Sequence, residues 1–208
     1  VCFLLTAGCI LLIGAYHNEP VARIAEITIG RQVWMDKNLR VKTFRNGDVI
    51  LQARTKDEWE KAGKEKTPAW CIFANDSIHG EKYGLMYNGY AVTDPRRLAP
   101  VGWHVPTNDD WKELENYFGA SVAGSKMKCG KQSSIGFCAL LGGHRSSDGT
   151  FRDMEVSTYF SGSTEATLTE SPDKVFICGR GLHAQDSRMM LCGLDKEFGL
   201  YVRCIRDR

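Results

Sequence analysis

Downstream of residue 119 the chain contains only short apolar runs, and Gly, Ser and Asp separate each run from the next. Short apolar runs bounded by turn-forming residues are typical of β-strands. We therefore predict four late strands in an antiparallel arrangement, over residues 137–141, 158–160, 175–178 and 200–205. Gly makes up 21 of the 208 residues, which favours a loop-rich chain over a bundle of long helices.

The beginning of the folded region carries a hairpin pattern. Residues 26–29 and 32–35 alternate polar side chains with apolar or β-branched ones, and a Gly-Arg pair at residues 30–31 separates them. This arrangement predicts two antiparallel strands joined by a tight turn. An Asn-Gly-Asp sequence at residues 46–48 predicts a second turn.

A short helix is predicted to follow this turn. Thr55 can cap its start, and acidic residues occupy its first turn. The helix is expected to end near Gly63 and to cover an apolar face with Trp59.

The clearest helix pattern runs over residues 108–118. Thr107 or the Asn that follows it can cap the start, and Gly119 occupies a position where Gly commonly ends helices. Three apolar side chains recur at helical spacing: Trp111, Leu114 and Phe118. One face of this helix is therefore expected to be buried, with Trp103 and Trp111 filling the core beneath it.

The first 16 residues form an apolar run without a charged side chain. A helix needs about 20 residues to cross a bilayer, so the run better fits the apolar region of a secretory signal. Two processing routes remain open: lipidation of Cys9 within a lipobox-like sequence, and cleavage after the small residues at 13–15. An uncleaved membrane anchor is a third possibility. We assign residues 1–20 to this leader and residues 21–208 to one mixed α+β domain.

Charge and cysteine content limit the partners and the compartment. Lys and Arg exceed Asp and Glu by only 27 to 25, so the chain lacks the positive charge of a nucleic-acid-binding protein. Six cysteines follow the leader, and in an exported protein they suggest up to three disulfides with 15 possible pairings. We interpret Cys138, inside an apolar run, as a buried small side chain without a disulfide.

The spacing of reactive residues gives little support to catalysis. The five His are scattered without a zinc-binding pattern, no Ser lies in a G-x-S-x-G elbow, and the Gly residues lack phosphate-binding spacing. His104 is interpreted as a hydrogen-bonded core histidine at a junction of strand and helix. We therefore predict no metal, no cofactor and no enzymatic activity.

Eight sequence blocks follow one another over about residues 26–206. They are GRQVWMDKNL at 30–39, PAWC at 68–71, YGLMYN at 83–88, AV at 91–92, LAPVGWHVPT at 98–107, GFCALLGG at 136–143, DGTF at 148–151 and VRC at 202–204. Their content and order resemble the Fibrobacter succinogenes major paralogous domain. The resemblance implies an exported bacterial protein, commonly a lipoprotein of Bacteroidetes or Fibrobacteres. It also implies a C-type lectin-like or sulfatase-modifying-factor-like fold, in which the first and last strands pair.

Two departures from the family pattern change what the resemblance implies. Many members have Cys-Pro where this chain has Ala99-Pro100, so a disulfide from that position to Cys204 cannot form. Members often carry Trp-Trp-Ser-Ser-Thr where residues 159–164 read Tyr-Phe-Ser-Gly-Ser-Thr, which keeps aromatic packing without the indoles.

These observations predict a non-catalytic binding or adhesion module, displayed at the outer membrane or cell surface of a Gram-negative bacterium and attached through an N-terminal lipid or anchor. Its partner would be a glycan or a surface protein. The candidate ligand-binding side chains lie in a late loop: Arg180, His183, Gln185, Asp186 and Arg188. The alternative is a lectin-fold oxidase that uses a pair of cysteines, Cys178 with Cys192 or Cys204.

Overall fold

The computed structural model describes residues 24–130, 136–169 and 171–208. The predicted leader, residues 1–20 with Cys9, lies outside the described residues. The described part contains both helices and strands, with more strands than helices. It is therefore a mixed α/β structure, which agrees with the predicted α+β class. None of the helices found there is long and apolar enough to cross a lipid bilayer.

The strands are β1 Glu26–Ile29, β2 Gln32–Met35, β3 Leu51–Gln52, β4 Ala69–Cys71, β5 Met86–Tyr87, β6 Trp103–His104, β7 Gly142–Arg145, β8 Phe151–Met154, β9 Ser157–Phe160, β10 Glu165–Leu168, β11 Ser171–His183, β12 Met190–Asp195, β13 Leu200–Tyr201 and β14 Ile205–Arg206. The helices are α1 Lys56–Lys64, α2 Ser77–Tyr83, α3 Gly89–Val92, α4 Asn108–Phe118 and α5 Ala123–Met127. The sequence predicted α1 and α4. The other three have seven, four and five residues, which is too short for a periodic pattern, so the sequence predicted two of the five helices found in the described residues.

A small sheet joins the two ends of the described chain in the order β1-β2-β14-β6. The predicted hairpin is confirmed, because β1 and β2 pair antiparallel from Glu26 opposite Met35 to Ile29 opposite Gln32. Ile205 in β14 lies opposite Trp34 in β2, and this pairing brings the last strand to the first hairpin.

A large sheet has the order β10-β11-β9-β13-β5-β4-β3, with β12 added to β11 and the β7-β8 hairpin added to β9. Most neighbours are antiparallel, but β3 pairs with β4, and β9 with both β7 and β13, in the parallel direction. The predicted strand at 175–178 is part of β11, which has 13 residues. The expectation of purely antiparallel late strands is therefore wrong.

Two predicted late strands differ in the structure. Residues 137–141 contain only an isolated bridge from Ala139 to Lys128, because Cys138 has a φ of 39° and interrupts the extended backbone. Residues 200–205 are divided into two short strands. Leu200 and Tyr201 pair with β5 in the large sheet, whereas Ile205 pairs with β2 in the small one. The segment crosses between the sheets and cannot be one strand.

The predicted helix starts are confirmed by their capping geometry. Thr55 and Glu58 form a reciprocal capping box at α1, and Thr107 forms one with Asp110 at α4. Gly119 ends α4 with a φ of 88°, a backbone conformation that other residues rarely adopt.

The core consists of two clusters of buried side chains. Trp111 from α4 lies in the first cluster, with its ring centroid 4.8 Å from that of Trp34 and 5.8 Å from that of Phe160. Trp103 is also buried, but it belongs to the second cluster. The expectation that both tryptophans lie beneath α4 therefore holds for Trp111 alone. Phe160 is fully buried, so the aromatic packing expected at this position is present.

Candidate ligand-binding site

The structure separates the five predicted ligand-binding residues. Arg180 lies inside β11, opposite Phe160 on one neighbouring strand, and is only 1 % exposed. Its guanidinium donates to the backbone oxygen of Gly179 and to the side-chain oxygen of Asn108, at 3.1 and 3.0 Å. The assignment of Arg180 to a ligand-facing loop is therefore wrong, because strand pairing continues through it to His183.

Of the other four predicted residues, His183 is the last residue of β11, and three lie between β11 and β12. Gln185, Asp186 and Arg188 belong to residues 184–189, which we call the 184–189 loop. Gln185 and Arg188 are exposed, while Met189 at the end of the loop is 4 % exposed and packs in the first core cluster. The loop therefore projects polar side chains and is anchored by an apolar one.

A lysine on the neighbouring segment holds the start of this loop. Lys128 directly follows α5, and its Nζ donates to the backbone oxygens of His183, Ala184 and Asp186 at 2.7, 2.9 and 2.8 Å. An ammonium group has three donors, so these bonds use its full capacity. Partial burial lowers the pKa of Lys128, with the Asp186 carboxylate acting in the opposite direction. Sequence reasoning missed this contact because 55 or more residues separate its partners.

The loop also carries an internal ion pair. The Asp186 carboxylate accepts from the Arg188 backbone N–H at 2.9 Å and from its guanidinium at 3.2 and 3.1 Å. These hydrogen bonds lower the pKa of Asp186 to about 2, so the carboxylate stays charged at neutral pH. The Gln185 backbone N–H donates to the ring Nδ1 of His183 at 3.2 Å, which further restricts the loop.

Helix α5 packs directly against the far end of the loop. The Ser125 backbone N–H donates to the oxygen of Ser187 at 2.9 Å, and the Ser187 hydroxyl donates to the oxygen of Ser121 at 2.8 Å. A Cβ atom added to Gly124 would lie 2.2 Å from the backbone oxygen of Arg188. Only glycine permits so close an approach of helix and loop.

A cleft of about 550 Å³ adjoins the loop, and we call it the loop-side cleft. Tyr83, Leu140 and Leu141 give it an apolar part, while Lys82, Lys128 and Glu155 supply charge; Ala184 of the loop forms part of its wall. This combination of apolar surface and a few polar groups is typical of ligand-binding clefts.

The sequence model of the Fibrobacter succinogenes major domain matches residues 27–206, which include the loop, the cleft and both sheets. The chain belongs to this family. The match covers nearly the same residues as the resemblance found from the eight sequence blocks. No curated protein and no solved structure matches the chain.

Among the described residues of this major domain, two cysteines form a disulfide and four are free thiols, which the sequence could not show. Cys129 and Cys138 form a disulfide, so the interpretation of Cys138 as an unbonded side chain is wrong. Of the other cysteines in the described residues, Cys71 and Cys204 are buried. Burial raises the pKa of Cys71 to about 12 and raises that of Cys204 as well. Both thiols are therefore protonated and shielded from solvent.

The proposed oxidase pair, Cys178 and Cys192, lies on adjacent strands but not on the same face. Cys178 is opposite Gly193, and Cys192 is opposite Gly179. Directly opposite residues share a face of the sheet, and successive residues along a strand alternate between faces. The two thiols therefore point to opposite sides of the sheet and cannot form a disulfide in this arrangement.

Two histidines of the major domain have acidic neighbours. His104 links Asp110 and Asp207 through its two ring nitrogens, as expected for a hydrogen-bonded histidine, although it is half-buried and not in the core. His144 lies 3.5 Å from an Asp153 oxygen and 3.4 Å from the Ser146 hydroxyl. Burial lowers the pKa of His144.

His144 lies between Asp153 and Ser146, which is the spatial arrangement of a hydrolase triad. Ser146, however, is only 8 % exposed. Ser146 lines neither the loop-side cleft nor the small cleft formed by its neighbours Ser147 and Asp148. Among the described residues, no three His, Cys, Asp or Glu side chains lie together as metal ligands would.

Proposed function

We propose that this major domain is a non-catalytic binding module, exported and displayed at the surface of a Gram-negative bacterium, which recognises a glycan or a surface protein through the 184–189 loop and the loop-side cleft. The leader, through Cys9 or an uncleaved anchor, would attach the domain to the membrane. The proposal includes a C-type lectin-like arrangement, supported by the pairing of β14 with β2, which brings the ends of the domain together.

One observation carries the proposal: Lys128 binds three backbone oxygens of the loop region. A loop that is already ordered loses less conformational entropy when a ligand binds, so its polar side chains contribute more to affinity. Gln185 and Arg188 are the exposed side chains that this arrangement presents. The Asp186 ion pair holds Arg188 in one orientation and leaves part of its guanidinium open to solvent, with its side chain 70 % exposed.

The arrangement of cysteines favours this binding module over a lectin-fold oxidase. A dithiol oxidase needs two thiols that can approach each other, with one of them ionised near neutral pH. Cys178 and Cys192 point to opposite faces, and burial raises the pKa of Cys192. Cys204 is buried in the second core cluster.

Glycan and peptide arrays test the proposal. We expect binding to one of the two arrays, and loss of it in the double variant Gln185→Ala/Arg188→Ala. The matched control is Lys61→Ala/Lys64→Ala on α1, where both side chains are more than 70 % exposed. If every array ligand still binds the loop variant, the assignment of the site is contradicted. Thiol titration of the native protein is run in parallel, and rapid thiol reaction coupled to turnover of a thiol substrate would contradict the non-catalytic assignment.

A further inference from the structure

A second cleft, of about 710 Å³, lies between the exposed face of helix α4 and the β1–β2 turn. We call it the α4 cleft. It does not share a residue with the 184–189 loop or with the loop-side cleft. Apart from the buried Gln32, its polar and aromatic lining comes from Arg31, Asp109, Lys112, Glu113, Asn116 and Tyr117.

An exposed aromatic ring forms one side of the α4 cleft. Tyr117 is 56 % exposed, so a large part of its side chain is accessible to a ligand. One edge of its ring rests on Gly30, where an added Cβ atom would lie 2.8 Å from Cδ2 of the ring. The glycine therefore lets the ring lie directly on the backbone of the turn. A ring supported along one edge has fewer orientations to lose when a ligand stacks on it.

Polar groups surround the ring on the same helix face. Positions 109, 112, 113 and 116 follow the three- and four-residue spacing of one side of an α-helix, while Trp111 and Leu114 face the core. Asn116 is exposed, and its amide can both donate and accept hydrogen bonds. Asp109 has a side chain that is 91 % exposed and can accept two hydrogen bonds from neighbouring hydroxyls.

The charges that line the α4 cleft balance each other. Arg31 lies 3.5 Å from Glu113, and Lys112 lies 3.4 Å from Asp109. Arg208 also donates to Glu113 from outside the lining. Two cations and two carboxylates in the lining cancel each other, and Arg208 adds one positive charge beside them, so the attraction for a polyanion is weak and there is none for a polycation. The cleft therefore suits an uncharged ligand with many hydroxyl groups and an apolar face.

We propose that the α4 cleft binds a neutral saccharide, with the apolar face of one pyranose ring stacked on Tyr117 and its hydroxyls bonded to Asn116 and Asp109. A pyranose presents carbon-bound hydrogens on its faces and hydroxyls around its edge. That distribution complements an aromatic ring bordered by amide and carboxylate groups. This site is separate from the one proposed for the 184–189 loop, and it does not depend on that loop binding any ligand.

Isothermal titration of the domain with soluble neutral oligomers of glucose, xylose, mannose and N-acetylglucosamine tests the inference. We expect at least one series to bind. Tyr117→Ala should weaken this binding about tenfold or more, whereas Tyr117→Phe should change it less than about threefold because the ring remains. Asn116→Ala should weaken it by a smaller factor. Because Tyr117 is highly exposed, these variants should fold, and circular dichroism and thermal unfolding are the checks.

Two further measurements separate this site from the loop. Lys61→Ala/Lys64→Ala on α1 should bind the neutral oligomer with unchanged affinity, and Tyr117→Ala should keep any array binding that the loop variant loses, so the two proposals can fail separately. Oligogalacturonate is the acidic comparison and should bind more weakly than the neutral series. Failure of all four neutral series to bind, or binding that Tyr117→Ala leaves unchanged, would overturn the inference. Preference for oligogalacturonate would overturn the assignment to a neutral ligand.

Discussion

His104 and Asp207 are joined by a 2.8 Å contact between the ring Nδ1 and a carboxylate oxygen. The other ring nitrogen lies 3.2 Å from Asp110, the residue that completes the capping box of α4. One imidazole thus connects β6, the start of α4 and the end of the chain. The two carboxylates raise the pKa of His104 above its usual value of 6.5, while partial burial opposes the shift.

The first prediction concerns pH. Because the pKa of His104 is raised in the folded state, its charged form stabilises the fold fully below about pH 6.5, and this contribution is lost as pH rises through the raised value. Urea unfolding from about pH 5.5 to about pH 8.5 should show a decline in stability that is smaller in His104→Gln. Equal declines in both proteins would contradict the assignment. The pKa of Asp110 is lowered to about 2, so its own contribution is lost only in strong acid.

The second prediction concerns the lysine beneath the 184–189 loop. Lys128→Met keeps much of the side-chain length but leaves three backbone oxygens without their donor, and should reduce the free energy of unfolding by about 2 kcal/mol. Hydrogen exchange at the amides of residues 184–188 should become faster, since the loop opens more often. Lys126→Met, in the last turn of α5, is the matched control and should change neither measurement appreciably. Identical exchange in the two variants would show that Lys128 does not order the loop.

The third prediction concerns the two buried tryptophans. Trp111→Ala should lower the free energy of unfolding by about 3–5 kcal/mol, because it empties the centre of the first core cluster. Trp103→Ala should cost a similar amount through the second cluster. Denaturant unfolding measures both changes, and a loss below about 1 kcal/mol in either variant would show that the residue is not a core side chain.

The fourth prediction concerns the disulfide between Cys129 and Cys138. It closes a short loop, with a sequence separation of 9, and should stabilise the fold by about 2–3 kcal/mol. The double variant Cys129→Ser/Cys138→Ser should lose that stability, and a reducing agent should lower the stability of the native protein but not of the variant. Cys178→Ser, which removes a cysteine without a disulfide, should show the same response to reduction as the native protein.

Features whose signals lie within a few residues could be predicted from the sequence. The β1–β2 hairpin follows from alternation around a Gly-Arg pair, and the capping boxes at Thr55 and Thr107 follow from residues three positions apart. In each case the backbone atoms that need partners and the side chains that satisfy them are neighbours in the chain. The family blocks extended this local information to nearly the whole chain, and the family match confirmed them.

Contacts between distant residues were decided only by the tertiary structure. Arg180 resembled a loop residue by composition, yet strand pairing with Phe160 buries it. Cys138 resembled a core side chain, yet its positive φ and the nearby Cys129 produce a disulfide. The residues next to Lys128 in the sequence do not indicate that it binds the 184–189 loop. Those next to Tyr117 do not indicate that its ring rests on Gly30.

By itself the sequence determined the N-terminal hairpin, the two capped helices, the predominance of short strands and the family. Each of these depends on alternation, capping or turn formation, whose energies act over one to four residues. The tertiary structure alone decided which strands pair in parallel, which arginine is buried, which cysteines are bonded and which polar residues meet in a cleft. Those outcomes depend on packing and hydrogen bonding between segments that are far apart in the sequence. Sequences with the same local patterns could pair their strands and pack their side chains in other ways.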